Sequence, residues 1–488
     1  MRTQAPSIFT RCAGLLCLLT LLAISLILSA IEPAQRKSET FEAARINGSA
    51  ATLITFTTRL DRSFRTLSLQ ERSLLVREGK TALLKQAGIR HEPSSTFAFS
   101  RGLALEVTAR QLMRLSRLRM VSQIEPIHPE RFETIEPLRD QLLHISRRSN
   151  AEPSSPVIAV VDSGLGRIYH EASASVVDEA CFCSRGTLGC CPLEDYRAFG
   201  PLSAEDESGH GTSVTYLALQ ATATIYQHPV GVIPVKVVDS HSGICCPVDI
   251  VSAFDWIALR HPGISVVNMS LSIGPRFRNY CDEQRGSGLL IADAISAIQR
   301  NDTLIIAASG NDEDPDGMGF PACVEGVLAV GAVYADSYPE DKRPKKGCQD
   351  PVQQKNQVTC FSNASDALDL LAPGAYLTAP LTGGNWRTQS LHGTSFAAPQ
   401  VAGCALGIRA RFPDLSSAEV TSALLASPTM IEDHRSGNSW PLLDCQASLD
   451  HAAGLSTRSV GGAIPTRQTT SVARAPLYTA TSLGIAFE

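Results

Sequence analysis

Four residues carry the chemistry that this 488-residue chain offers: Asp162, His210, Asn311 and Ser395. Ser395 stands in Leu391-His392-Gly393-Thr394-Ser395-Phe396-Ala397-Ala398-Pro399-Gln400-Val401-Ala402-Gly403, a tight turn feeding a helix of small apolar residues. A hydroxyl there lies beside unpaired helix N–H groups and the positive end of the helix dipole, which stabilises an anion forming next to it. Pro399 is expected within the first helical turn, where its missing N–H costs nothing. His210 has glycine on both sides and opens an expected helix, and an imidazole near neutrality can serve as a general base. Asp162 ends the apolar run 157–161, and Asn311 follows the run 305–308. An amide N–H at the second place can point at a developing oxyanion. Each residue alone reads as a cap or a turn. Together they supply a nucleophile, a base, an orienting carboxylate and an oxyanion donor.

The tetrapeptide His-Gly-Thr-Ser occurs twice, at 210–213 and 392–395. Context separates the two copies. Ser395 runs into the small-residue helix, whereas Ser213 runs into bulky Val214 and Tyr216.

These residues need a scaffold, and apolar runs of strand length provide one at 157–161, 233–238, 264–271, 304–308 and 327–333. Helical stretches such as 249–260 and 288–300 fall between them. Continuous apolar strands with helical crossovers predict an α/β fold, a mostly parallel sheet with helices on both faces. Ligands gather at the carboxyl ends of such strands, where the four residues lie. Residues 51–127 read as a smaller α+β unit of order β-α-β-β-α-β, without cysteine or catalytic motif. The expected domains are an export segment at 1–31, the small domain with a charged linker at 32–150, the large domain at 151–455, and a Ser/Thr/Ala-rich tail at 456–488.

With the motifs in place, the chain resembles the subtilisin-like serine proteases. The resemblance rests on Val-Val-Asp-Ser-Gly around Asp162, Gly-His-Gly-Thr-Ser around His210, Ala-Ser-Gly-Asn around Asn311 and Gly-Thr-Ser-Phe-Ala-Ala-Pro-Gln-Val-Ala-Gly around Ser395. The order Asp…His…Ser is that of subtilisin itself. The resemblance spans 156 to about 454. It implies a serine endopeptidase acting on polypeptides through an acyl-enzyme on Ser395, with Asp162 and His210 as its partners and Asn311 in the oxyanion hole. It further implies that Ser270, Leu271 and Ser272 pair with an extended substrate, and that the domain before 150 is a propeptide acting as an intramolecular inhibitor. Ser272 stands where the family usually has glycine, which is expected to narrow the specificity pocket. Two rival classes fit the same scaffold: a catalytically silent binding or chaperone protein, and a peptide transferase or cyclase.

Composition sets the remaining bounds. Hydrophobic content of 44% with 19% charged residues describes a folded chain, and a net charge of −5 gives no basic footprint for nucleic acid. Arg2 and Arg11 precede an uncharged run to Ile31, the layout of a signal peptide or of an uncleaved anchor. Both place the remainder outside the cytoplasm, secreted or periplasmic, with membrane attachment only if the segment stays uncleaved. The 12 cysteines beyond that segment read as disulfides, with Cys348–Cys360, Cys281–Cys323 and Cys404–Cys445 as pairings. The six from Cys181 to Cys246 stay open, with zinc as the rival reading. No cofactor is required. Asp312-x-Asp314-x-Asp316-Gly317 reads first as a solvated acidic loop and second as a structural calcium site.

Overall fold

Alternation along the strand Val157–Asp162 decides the layers of the large domain. The computed structural model describes residues 39–461, apart from 92, 94, 127–155, 167–175, 186–187, 241–246, 285, 338–347, 349, 351 and 381–387. The export segment, nearly all of the linker, Cys245, Cys246 and the tail beyond 461 therefore lie outside the described residues. Among the described residues, no helix is long and apolar enough to cross a membrane.

The small domain contains β1 (Ala50–Phe56), α1 (Leu69–Ala87), β2 (Ser95–Thr96), β3 (Gly102–Val107), α2 (Ala109–Leu115) and β4 (Val121–Pro126). Its sheet has the order β2-β3-β1-β4 and its described pairings are antiparallel. Local sequence explains the helices. Ser68 and Glu71 form a capping box on α1, Gly88 ends it at φ 69°, and Thr108 with Gln111 caps α2 in the same way.

The large domain follows as β5 (Val157–Asp162), β6 (Ala180–Phe182), β7 (Arg197–Phe199), α3 (His210–Ile225), β8 (Gly231–Lys236), α4 (Pro247–Arg260), β9 (Val266–Met269), α5 (Ser287–Gln299), β10 (Leu304–Ala308), β11 (Val327–Tyr334), β12 (Leu370–Pro380), β13 (Thr388–His392), α6 (Thr394–Arg411), α7 (Ser417–Leu425) and α8 (Cys445–Gly461). Among the described residues, nine strands form one sheet in the order β13-β12-β11-β10-β9-β5-β8-β6-β7. The core strands pair in parallel, and only the edge strands β13 and β7 run antiparallel. The α/β expectation thus holds.

Successive side chains of a strand point to opposite faces. Ile158 and Val160 pack with α3 and α6, while Ala159 and Val161 pack with α4 and α5. Close approach of α3 and α6 depends on Gly403, where a Cβ would lie 2.0 Å from the Ala218 carbonyl oxygen. On the other face Leu53, Phe97, Phe99 and Ala104 of the small domain join the core beneath α4 and α5.

Polar contacts fix that docking. Arg101 donates to Asp293 of α5 through Nε and Nη2, both at 2.8 Å, and Arg65 Nε adds a bond of 3.0 Å. The Ala98 N–H donates to Asp255 of α4 at 2.5 Å, and Glu125 accepts from the Ser287 N–H that opens α5 at 3.2 Å. Burial here pushes the Asp255 carboxyl up to about 7, against the pull of the Ala98 and Phe99 N–H groups.

Cysteine pairing is clear among the described residues. Cys281–Cys323 and Cys348–Cys360 are bonded as expected. Cys181–Cys191 and Cys183–Cys190 are bonded too, which removes the zinc reading for these four. Cys404 and Cys445 differ from expectation: they are thiols, and burial together with contact to Cys445 pushes the Cys404 thiol up. The helix α8 also runs to Gly461, past the expected start of the tail.

Candidate active site

Asp162, His210, Asn311 and Ser395 converge because each stands where a central strand ends or a helix begins. Asp162 is the last residue of β5 and is 1% exposed. Its Oδ1 accepts from the Ser163 N–H and from His210 Nδ1, both at 2.7 Å. His210 is the first residue of α3, and its side chain stays 37% exposed. Burial works against the imidazolium, but the Asp162 charge, its hydrogen bond and the further charge of Asp206 outweigh it. The His210 pKa is therefore raised above its ordinary value. The Phe396 ring packs 5.2 Å from the imidazole, centroid to centroid.

Ser395 occupies the first turn of α6, and its Oγ donates to the Ser270 carbonyl oxygen at 3.1 Å. Pro399 is the sixth residue of α6, not within its first turn as the sequence predicts. The proline ring removes the N–H that would bond the carbonyl four residues earlier, which is that of Ser395. Ser270 Oγ supplies the missing donor, bonding the Ser395 oxygen at 2.7 Å. Ser270 and Ser395 are thus tied reciprocally, and α6 keeps a buried proline without an orphaned carbonyl.

Asn311 follows β10. Its Oδ1 accepts from the Thr394 N–H at 2.8 Å and from Thr394 Oγ1 at 3.0 Å, which turns Nδ2 toward Gly393. Near it, Ser272 Oγ fills space between two glycines. A Cβ on Gly310 would lie 3.0 Å from that oxygen, and one on Gly319 would lie 2.7 Å away. Leu271 is 8% exposed. In the other His-Gly-Thr-Ser copy, at 210–213, Ser213 is fully buried inside α3, out of reach of any polypeptide.

Two positioning residues escaped the sequence reading. Asp206 accepts from the N–H groups of Ser208, Gly209 and Thr212 and from the hydroxyls of Ser163, Ser208 and Thr212. Burial opposes the charge, yet these donors hold its pKa below the usual value. It organises the turn that delivers His210. Asn363 clamps the loop after β10: its Oδ1 accepts from the N–H groups of Asp312 and Asp314, and its Nδ2 donates to Asp312. The sequence signal for Asp206 was its place four residues before His210; Asn363 had none. In the acidic loop Asp312 pairs with Arg276, and Asp316 lies 3.9 Å from Arg278.

A buried carboxylate bonded to a histidine, together with a serine at a helix start and an amide bonded to the residue before that serine, can perform nucleophilic acyl transfer. Comparison with known proteins agrees. The model of the subtilase family matches residues 154–441. The chain belongs to the subtilase family. An extracellular serine proteinase of Thermus sp. is 29% identical over 343 residues, covering 68% of this chain and 72% of that protein. Subtilisin DY of Bacillus licheniformis is 32% identical over 241 residues, covering 47% and 73%. A solved structure of proteases from Pseudoalteromonas arctica aligns with a TM-score of 0.44 at 21% identity, covering 61% and 90%. This subtilase is a serine-type endopeptidase, and polypeptides are its substrates.

Proposed function

We propose that this subtilase hydrolyses peptide bonds through an acyl-enzyme on Ser395 and is made as a secreted zymogen. The carrying observation is the 2.7 Å bond from His210 Nδ1 to the buried Asp162, with the imidazole packed on Phe396, the residue after Ser395. That bond fixes the tautomer with the proton on Nδ1 and leaves Nε2 as the acceptor. When substrate enters, Ser395 Oγ leaves the Ser270 carbonyl, gives its proton to His210 Nε2 and attacks the scissile carbonyl. Asn311 Nδ2 and the Ser395 N–H receive the oxyanion. Losing one such donor costs about 3 kcal/mol, a figure established in a subtilisin. His210 then protonates the leaving amine, and water releases the acyl group by the same steps in reverse. The chemistry calls on no cofactor. Ser270 to Ser272 offer an edge on which the acyl-side residues extend as an added strand.

The small domain is read as the propeptide. The support is its docked face, a set of ion pairs and backbone caps on α4 and α5 that a separate folding unit would need. Secretion is supported by the extracellular relative and the disulfides. The test is peptide-library cleavage by purified protein beside Ser395→Ala, with the amino terminus of the active form sequenced. We expect cleavage to vanish in Ser395→Ala and the active form to begin between about residues 125 and 153. Unchanged cleavage by the variant contradicts the mechanism, and full activity with a start near residue 31 contradicts the zymogen.

A further inference from the structure

The sheet order puts two different surfaces on the two sides of Ser395. On one side stands the end of β9, with Ser270 in contact with Ser395 Oγ. On the other stand β12 and the edge strand β13, separated from β9 by β11 and β10. A bulge interrupts the pairing of β12 and β13: Ala375 faces His392 and Leu377 faces Leu391, so Tyr376 is the extra residue of the bulge. Such an extra residue bends the strand and re-aims its side chain.

Tyr376 holds that conformation at φ 59°, a region a bulky residue rarely enters. Its hydroxyl donates to Gln353 Oε1 at 2.8 Å, and Gln353 is itself 4% exposed. Behind it lies the Tyr334 ring at 6.1 Å, whose hydroxyl donates to the buried Asp350 at 2.7 Å. The Tyr376 ring meets the His392 imidazole edge to face, with centroids 4.5 Å apart and planes at 79°. His392 is solvent-exposed and stands three residues before Ser395. Nothing in the hydrolytic steps uses either ring, yet a strained backbone and a buried polar chain hold them at the end of the strand that leads into the helix carrying Ser395.

We infer that Tyr376 and His392 form a recognition surface for the substrate residue just after the scissile bond, favouring an aromatic or large apolar side chain there. The inference rests on the peptidase reading above. If acyl-side residues lie along Ser270 to Ser272, the residues after the cut must leave toward the opposite flank, where these rings are. Two adjoining ring surfaces with a fixed hydroxyl offer stacking area and little charge. Partial burial lowers the His392 pKa, so the imidazole is neutral at neutral pH and does not attract carboxylates by charge.

The test uses processed enzyme and peptides identical before the cut, with Gly, Ala, Leu or Phe at the two positions after it. Relative kcat/KM is read by competition in wild type, His392→Ala, Tyr376→Gly and Tyr376→Phe. Wild type is expected to favour Phe over Gly by about three- to tenfold, the range for an aromatic contact. Tyr376→Phe should keep that ratio. His392→Ala and Tyr376→Gly should bring it within about twofold of unity, on the same scale, while preferences before the cut stay unchanged. Tyr376→Gly suits the left-handed backbone, so it is expected to fold. No Phe preference in wild type, or variants that slow all peptides equally, overturns the inference. Failure of wild type to cleave any peptide overturns the peptidase reading and this one with it.

Discussion

In the proposed mechanism His210 must be neutral to accept the Ser395 proton, while Asp162 favours its charged form. The two demands set the acid limb of activity. With the His210 pKa raised above 6.5, kcat/KM should climb through a midpoint above that value. The stabilising His210–Asp162 pair is fully present below pH 6.5 and is lost as pH rises through the folded pKa. Asp162→Asn removes the charge, so the midpoint should move down and kcat should fall on the order of 10⁴-fold, the loss that follows a wrong tautomer. A pH profile of both proteins checks this, and a midpoint that rises or stays contradicts the pairing. Asp162, His210, Asn311 and Ser395 stood out as candidates in the sequence because each carries a distinctive local motif. The inward use of Ser270 was not. It depends on Pro399 removing an N–H one and a half turns into α6, a position that only the helix start fixes.

At the scale of elements, the catalytic side chains are as well placed as the turns that carry them. Asp206, itself 3% exposed, gathers six donors at the entry of α3. Replacing it by Asn puts an NH₂ among donors and leaves several unsatisfied. Asp206→Asn should cost about 3 kcal/mol of stability, since each buried orphan is worth about 1–3 kcal/mol. Chemical denaturation at pH 7 measures it. The stabilisation should persist above pH 3.8 and fade as pH falls through the lowered folded pKa. A loss under about 0.5 kcal/mol, the range of an ordinary surface substitution, contradicts the assignment. The strands at 157–162, 304–308 and 327–334 were legible as unbroken apolar runs, because both faces of a parallel sheet are buried. The edge strand β13 was not read, since its Thr388–His392 sequence is mostly polar and pairs on one side only. Asn363 lay beyond reach for another reason: its partners are some fifty residues away in sequence.

For the whole molecule, the docking of the small domain is the largest feature that the chain order alone did not disclose. The β-α-β-β-α-β succession was legible from alternation and capping residues, but nothing local marked Arg101 as the partner of Asp293, 192 residues on. Both side chains are nearly fully buried, at 5% and 0% exposure. Arg101→Ala would leave Asp293 with a reduced partner set in a dry interface. Breaking such a pair costs about 3–5 kcal/mol. Hydrogen exchange of full-length Ser395→Ala protein, with and without Arg101→Ala, should show lost protection in α5 and in β3. Unchanged exchange in both elements contradicts a docking role. The four disulfides among the described residues fall in the large domain, and the small domain has no cysteine. This division suits a part that is removed and a part that persists.

The central claim, that Ser395 is the nucleophile activated by His210, is tested most directly by covalent labelling. Processed protein is treated with a peptidyl phosphonate, digested and examined by mass spectrometry. The expected result is one adduct on the peptide containing Ser395, absent in His210→Ala. No adduct in the wild type, or an adduct on Ser213 instead, would contradict the account.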